Sequence, residues 1–296
     1  MDYLSKYGFQ LSEKEMAEHL ERLASNMDAM ATVDTYKTLF SLMDLTTLKS
    51  SDTPASVAKL VSKVNSLARE YPSYPLPASV CVYPNFASVV VKERSTPELH
   101  ATVVASCFPS TQSFPEVKEL ECRMAVRSGA DEVDIVLPLA EFLSGDYESA
   151  ETQLRMMIDA MRSEAASLSR SVIVKVILET GLLQTPESIA TASFMAMEAG
   201  ADFIKTSTGK VDVNATPGSA YIMCSCIRSF YEKTGRRVGF KAAGGISTSK
   251  DALCYWAIVS AVLGKEWLCR ELFRLGVSRL GNSLMSSIEG NAVVFF

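Results

Sequence analysis

The chain has 296 residues, 48% of them hydrophobic, which is enough to bury a full core without help from disulfides. Its formal net charge of −5 argues against nucleic acid or a membrane surface as partner, because both call for a basic face. No stretch of the chain approaches the length of a transmembrane helix.

In chain order, the first twenty residues have no basic stretch followed by an apolar run, so no signal peptide is expected. Ser12-x-x-Glu15 is a capping-box pattern and predicts an extra N-terminal helix. The first strand is expected over Phe40–Leu45. A helix follows, with Pro54 in its first turn and Val57, Leu60, Val61, Val64 and Leu67 on one face. Strands are expected at 79–84, 101–106, 131–137, 172–180, 202–207, 238–244 and 274–278, with helical patterns between them. Gly129, Gly200 and Gly235 fall where helices should stop. Between Lys250 and Phe273 the pattern is helical twice, with a break at Gly264.

Eight strands alternating with helices predict a parallel sheet, and the count favours an α/β fold of the (β/α)8 TIM-barrel type with an extra N-terminal helix. The alternative is an open doubly wound sheet, whose G-x-G-x-x-G after the first strand is missing. The expected organisation is a helical extension packed on the barrel (1–38), the barrel domain (39–290) and a C-terminal tail (291–296).

The seven cysteines form no C-x-x-C pair, so reduced thiols in a cytoplasmic protein are expected. The only histidines are His19, in a charged helical stretch, and His100, just ahead of a strand. Two isolated histidines leave little room for a Ser-His-Asp triad or a His-rich zinc site. Chemistry on lysines and carboxylates is expected, with no metal and no cofactor.

Active sites of such barrels lie at the carboxyl ends of the strands. Those ends carry Asp44, Cys81, Ser106, Asp134, Lys175 with Glu179, Lys205, Lys241 and Ser278. "SGADEVDIV" and "AGADFIKTS" share one frame, with Asp134 and Lys205 each five residues past a helix-ending glycine. Lys205 and Lys241 belong to consecutive strands, about 4.8 Å apart in a parallel sheet. If both point inward, burial and mutual repulsion favour a neutral amine, which can attack a carbonyl and form a Schiff base. Asp134 would then move protons directly or through a water. Three glycine-bearing turns follow late strands: "STGK" with Thr208, Gly209 and Lys210, "AGGI" with Gly244 and Gly245, and "LGVSR" with Gly276, Ser278 and Arg279. Together they suggest a cradle for an anionic ligand.

The stretches "LMDLTTL", "VCVYPNF", "GADEVDIVLP", "VKVILETG", "GADFIKTSTGKVDVNATP", "GFKAAGGI" and "LGVSRLGNSL" resemble the deoxyribose-phosphate aldolases, a family of class I aldolases. The resemblance implies that Lys205 forms the Schiff base, Lys241 lowers its pKa and Asp134 works in proton transfer. It also implies that Asp44, Cys81 and Lys175 line the substrate pocket. The 5-phosphate would be held by Gly209, Lys210, Gly244, Gly245, Gly276 and Ser278, with Thr208 and Arg279 beside them. The implied reaction is reversible cleavage of 2-deoxy-D-ribose 5-phosphate to glyceraldehyde 3-phosphate and acetaldehyde. Departures from the family pattern are Ala242 for proline, Ser247 for arginine, Arg279 for a second serine and Thr111 for glycine after "FPS". The chain ends in Phe296 rather than tyrosine. Two other readings stand beside the first: an aldolase-like protein with weak or lost activity that binds a protein partner, and another lysine-dependent barrel enzyme. A phosphosugar is the expected small-molecule partner, and a homo-oligomer is compatible with the sequence.

Overall fold

In the computed structural model, which describes residues 2–296, eight short parallel strands close on themselves in sequence order. They are β1 (Met43–Thr46), β2 (Ser79–Val82), β3 (His100–Ala105), β4 (Glu132–Val136), β5 (Ile173–Ile177), β6 (Phe203–Lys205), β7 (Gly239–Ala243) and β8 (Phe273–Val277). The strand β8 pairs with β7 on one side and β1 on the other, so the sheet has no edge. The fold is the expected (β/α)8 barrel.

Before β1 come α1 (Tyr3–Tyr7), α2 (Glu13–Asn26) and α3 (Val33–Ser41). Around the barrel run α4 (Pro54–Asn65), α5 (Leu67–Glu70), α6 (Ala87–Glu93), α7 (Pro115–Arg127), α8 (Leu139–Leu143), α9 (Tyr147–Ser167), α10 (Pro186–Glu198), α11 (Pro217–Thr234), α12 (Ser249–Val262) and α13 (Leu280–Glu289). Pro54, Pro186 and Pro217 stand in first helical turns behind threonine caps, where a missing N–H costs nothing. Ser12 Oγ accepts from the Glu15 N–H, the first half of the expected box.

Two expected elements change. Phe40 and Ser41 belong to α3, not to the first strand, because the helix capped by Thr32 runs on to Ser41. Beyond Gly264 there is only a 3-10 turn, Lys265–Trp267, before β8 begins at Phe273. Trp267 is buried there and its Nε1 donates to the Val238 carbonyl, so the apolar pattern served a docked side chain rather than a second helix.

The strand alternation assigns the two faces opposite characters. Outward residues such as Val80, Val103, Val133, Val174, Ile204 and Phe240 are fully buried under the helices. The inward residues Asp44, Ser79, Thr102, Glu132, Asp134, Lys175, Lys205, Lys241 and Arg274 are polar, yet none exceeds 4% exposure. Phe203 closes the lower lumen, its ring lying where a Cβ on Gly239 would stand, at 2.3 Å.

The N-terminal extension lies along the outer flank, with α1 on α10 and α11 and α2 on α11 and α12. Tyr7 stacks on Phe194 with ring centroids 4.4 Å apart, and Lys6 and Tyr7 both reach Glu198. At the other end, Asn282 Oδ1 accepts from the N–H groups of Phe295 and Phe296, and the Phe296 ring packs against Gly281.

Candidate active site

Seven charged side chains meet inside the barrel. Asp134 Oδ2 accepts from Lys205 Nζ at 2.9 Å and Lys241 Nζ at 2.7 Å, while its Oδ1 accepts from Lys175 Nζ at 2.8 Å. Asp44 Oδ2 binds Lys241 Nζ at 2.5 Å, and Lys175 stands 3.6 Å away. Glu132 Oε2 meets Lys175 Nζ at 2.5 Å. Arg274 donates to Asp44 Oδ1 and to both oxygens of Glu132. Ser79 donates to Asp44, Thr102 donates to Glu132, and the His100 ring meets Glu132 from the partly exposed start of β3. Register explains the assembly: Lys205 pairs with Lys241, Lys241 with Arg274, and Asp134 with Lys175. All project inward at neighbouring heights.

The electrostatics separate one lysine from the rest. Burial opposes a charge on every member of the cluster. For Lys241 and Lys175 that is outweighed by carboxylates, Asp134 foremost, and both amines are held above their ordinary value. For Lys205 burial wins, aided by the Lys241 ammonium and opposed by Asp134, so its amine is pushed below the usual lysine range. Burial also acts on Asp44, Glu132 and Asp134, but the surrounding cations overcome it and keep all three well below the ordinary carboxylate range. Burial pushes the Cys81 thiol up.

Above this cluster opens a cavity of about 310 Å³, lined by Lys205, the 46–49 segment and the three glycine-bearing turns. Thr208, Gly209, Lys210, Gly244, Gly245, Gly276, Ser278 and Arg279 all stand on its wall, as does Ser247. Glu179 anchors the first turn, accepting from the Thr208 N–H at 3.1 Å and from its Oγ1 at 2.5 Å. Lys210 reaches across to donate to the Leu48 carbonyl at 2.7 Å. Gly244 has φ +89°, and a Cβ there would stand 2.6 Å from Asn214, so that turn excludes a side chain twice over. Arg279 occupies the N-cap position of α13 and offers no side-chain acceptor, so the first N–H groups of that helix have no cap. Besides Lys205, the wall thus carries three basic side chains, Lys49, Lys210 and Arg279, with backbone donors and no carboxylate, an arrangement suited to an anion.

The expected site residues therefore fall into two tiers. Lys205 and the turn residues line the cavity. Asp134, Lys241, Asp44, Cys81 and Lys175 do not line it: they lie beneath Lys205 at no more than 1% exposure. For Asp44, Cys81 and Lys175 this replaces the expected place on the pocket wall, because inward side chains of a closed barrel stack in layers and theirs belong to a lower one. Ser106 is buried and pairs with Thr111, apart from the cluster. Among the described residues no three His, Cys, Asp or Glu side chains are disposed to hold a metal ion.

Sequence reasoning missed Glu132, Arg274, Ser79 and Thr102. Glu132 is two residues before Asp134 and Arg274 two before Gly276, so the period of two already placed them on the inward face. They sit below the carboxyl ends of their strands, where active-site residues of such barrels are expected.

The description "DeoC/LacD family aldolase" matches residues 38–265. A Caenorhabditis elegans protein provisionally named a deoxyribose-phosphate aldolase is 37% identical over 275 residues, covering 92% of this chain and 88% of that one. Among solved structures, a Toxoplasma gondii protein with the same provisional name superposes with a TM-score of 0.72 at 24% identity, over 87% of this chain and 98% of the other. The tetrameric deoxyribose phosphate aldolase of Aeropyrum pernix gives a TM-score of 0.68 at 22% identity, over 93% and 98%. From the barrel and the extent of these matches together, the chain belongs to the DeoC/LacD family of aldolases, lyases that act on carbon–carbon bonds.

Proposed function

We propose that this aldolase cleaves 2-deoxy-D-ribose 5-phosphate reversibly to glyceraldehyde 3-phosphate and acetaldehyde through a Schiff base on Lys205. The observation that carries the reading is that Lys205 alone joins the two tiers: it lines the cavity, and its amine is bonded to the buried Asp134. Held below the usual lysine range, that amine has a neutral fraction able to attack the C1 aldehyde, with loss of water. The iminium then draws the electrons of the C2–C3 bond as the C3 hydroxyl gives up its proton. Glyceraldehyde 3-phosphate departs and an enamine remains. Protonation at C2 and hydrolysis release acetaldehyde and restore the amine.

Asp134 is the base nearest this chemistry, a carboxylate kept ionised by Lys175 and the two other lysines. Lys241, beside Lys205, holds the second half of Asp134 Oδ2 and disfavours a proton on its neighbour. The phosphate fits the far wall, where Lys210, Arg279 and the glycine turns stand. Borohydride in the presence of acetaldehyde should add a two-carbon mass to Lys205, and Lys205→Leu should abolish that adduct. A folded wild-type protein without the adduct would defeat the reading.

A further inference from the structure

Arg274 is the lumen cation to which the reading above gives no part. It stands in register with Lys241 and is 1% exposed. Its NH1 donates to Asp44 Oδ1 at 2.6 Å and Glu132 Oε2 at 3.1 Å, and its NH2 to Glu132 Oε1 at 2.7 Å. It makes no hydrogen bond to Lys205 or to Asp134. Any effect on the reactive amine must pass through the charge of the cluster.

Strand by strand, the groups are Asp44 on β1, neutral Ser79 and Cys81 on β2, and His100 and Thr102 on β3. They continue with Glu132 and Asp134 on β4, Lys175 on β5, Lys205 on β6, Lys241 on β7 and Arg274 on β8. Three carboxylates thus face four basic side chains, none of the seven more than 4% exposed. An unbalanced charge in such a place is strongly disfavoured, so the cluster is most stable with one basic group uncharged. A guanidinium does not give up its proton, and Lys175 and Lys241 each bind two carboxylates closely. Lys205 binds one and borders the cavity.

We propose that Arg274 is a positioning residue for the Lys205 amine: by occupying Glu132 and sharing Asp44 it brings the fixed cations level with the carboxylates, so that Lys205 is the group left neutral. This rests on the Schiff-base reading. Without Arg274, two fixed cations face three carboxylates, and Lys205 takes a proton to restore the balance. Without the Glu132 charge, the opposite follows.

The test follows the pH dependence of acetaldehyde trapping on Lys205 by borohydride, read by mass and scaled to the folded fraction. All variants are made in a His100→Asn background, which removes the imidazole that meets Glu132. Arg274→Met should move the acid limb of the profile upward, with each pH step costing about tenfold in adduct at neutral pH, recovered on the alkaline side. Glu132→Gln should move the limb downward. The double variant, with one charge of each sign removed, should return it to the background position.

Limbs that stay in place in both single variants, or that move the same way, would overturn the proposal in favour of a merely structural arginine. If Arg274→Met does not fold, Glu132→Gln and the double variant decide: an unmoved limb in Glu132→Gln refutes the charge-balance role. No adduct in the wild-type protein would remove the Schiff-base reading itself, and this inference with it.

Discussion

Replacing Lys241 with methionine keeps a side chain of similar length in β7 and removes one buried charge. Lys205 and Lys241 donate to the same oxygen, Asp134 Oδ2, at 2.9 and 2.7 Å. Their nitrogens therefore lie within about 5.6 Å of each other, where two unit charges at an effective dielectric of 20 repel by about 3 kcal/mol. Relief of that repulsion favours the charged form of Lys205 by about a hundredfold. The release of Asp134 from Lys241 acts in the same direction. Fold loss is not expected, because Asp44 retains Arg274 and Ser79 while Asp134 retains Lys175 and Lys205. The unpaired charge should still lower stability by up to about 3–5 kcal/mol.

The assay is borohydride trapping of acetaldehyde across about pH 6 to 10, paired with kcat/KM for the phosphorylated sugar and with circular dichroism to confirm folding. The expected result is a loss of about two orders of magnitude near neutral pH that is recovered as the pH rises. An unchanged adduct yield near pH 7 would show that the repulsion is not expressed. Normal adduct formation with no turnover at any pH would show that Lys241 takes part in a bond-making step, and either result refutes the reasoning.

Arg279→Ser should raise KM for the phosphorylated sugar by about tenfold, or about 1.4 kcal/mol of lost charge-assisted binding, with little change in kcat. An equal loss with unphosphorylated deoxyribose would show that Arg279 does not meet the phosphate. Gly239→Ala would put a Cβ 2.3 Å from the Phe203 ring, and denaturant titration should register a loss of about 1–3 kcal/mol. A neutral result would show that the ring has another place to go. Asp44, Glu132 and Asp134 are all held below the ordinary carboxylate range, so acid unfolding takes up protons. The stability they contribute is complete above about pH 5 and is lost progressively below it. A thermal midpoint that stays level down to about pH 3 would contradict this pairing.

Much of the barrel was legible because each level of the chain pointed the same way. Helical faces such as Val57, Val61 and Val64, threonine caps ahead of proline, and glycines closing helices agree with the eight strands. Reading failed where one pattern had two physical causes. Apolar residues past Gly264 looked helical because a buried Trp267 needs the same company as a helix face. Phe40 looked like strand because the last turn of a buried helix is as apolar as a buried strand. The site was half legible for a similar reason. Lys205 and Lys241 stand further toward the carboxyl ends of their strands, whereas Glu132 and Arg274 lie near the starts of theirs.

The sequence by itself determined which side chains face the lumen, since alternation along each strand assigns Asp134, Lys205 and Lys241 to one face whatever their neighbours are. It also determined the three glycine-bearing turns, because only glycine tolerates the backbone found at Gly244. What the tertiary structure alone decided is which of the three lumen lysines is pushed below the ordinary lysine range. Closure of the sheet places β8 beside β1, which brings Arg274 to Asp44 and makes the charges of eight strands a single sum. A lysine's protonation follows from that sum and from its distance to each charge, and neither can be read along one strand.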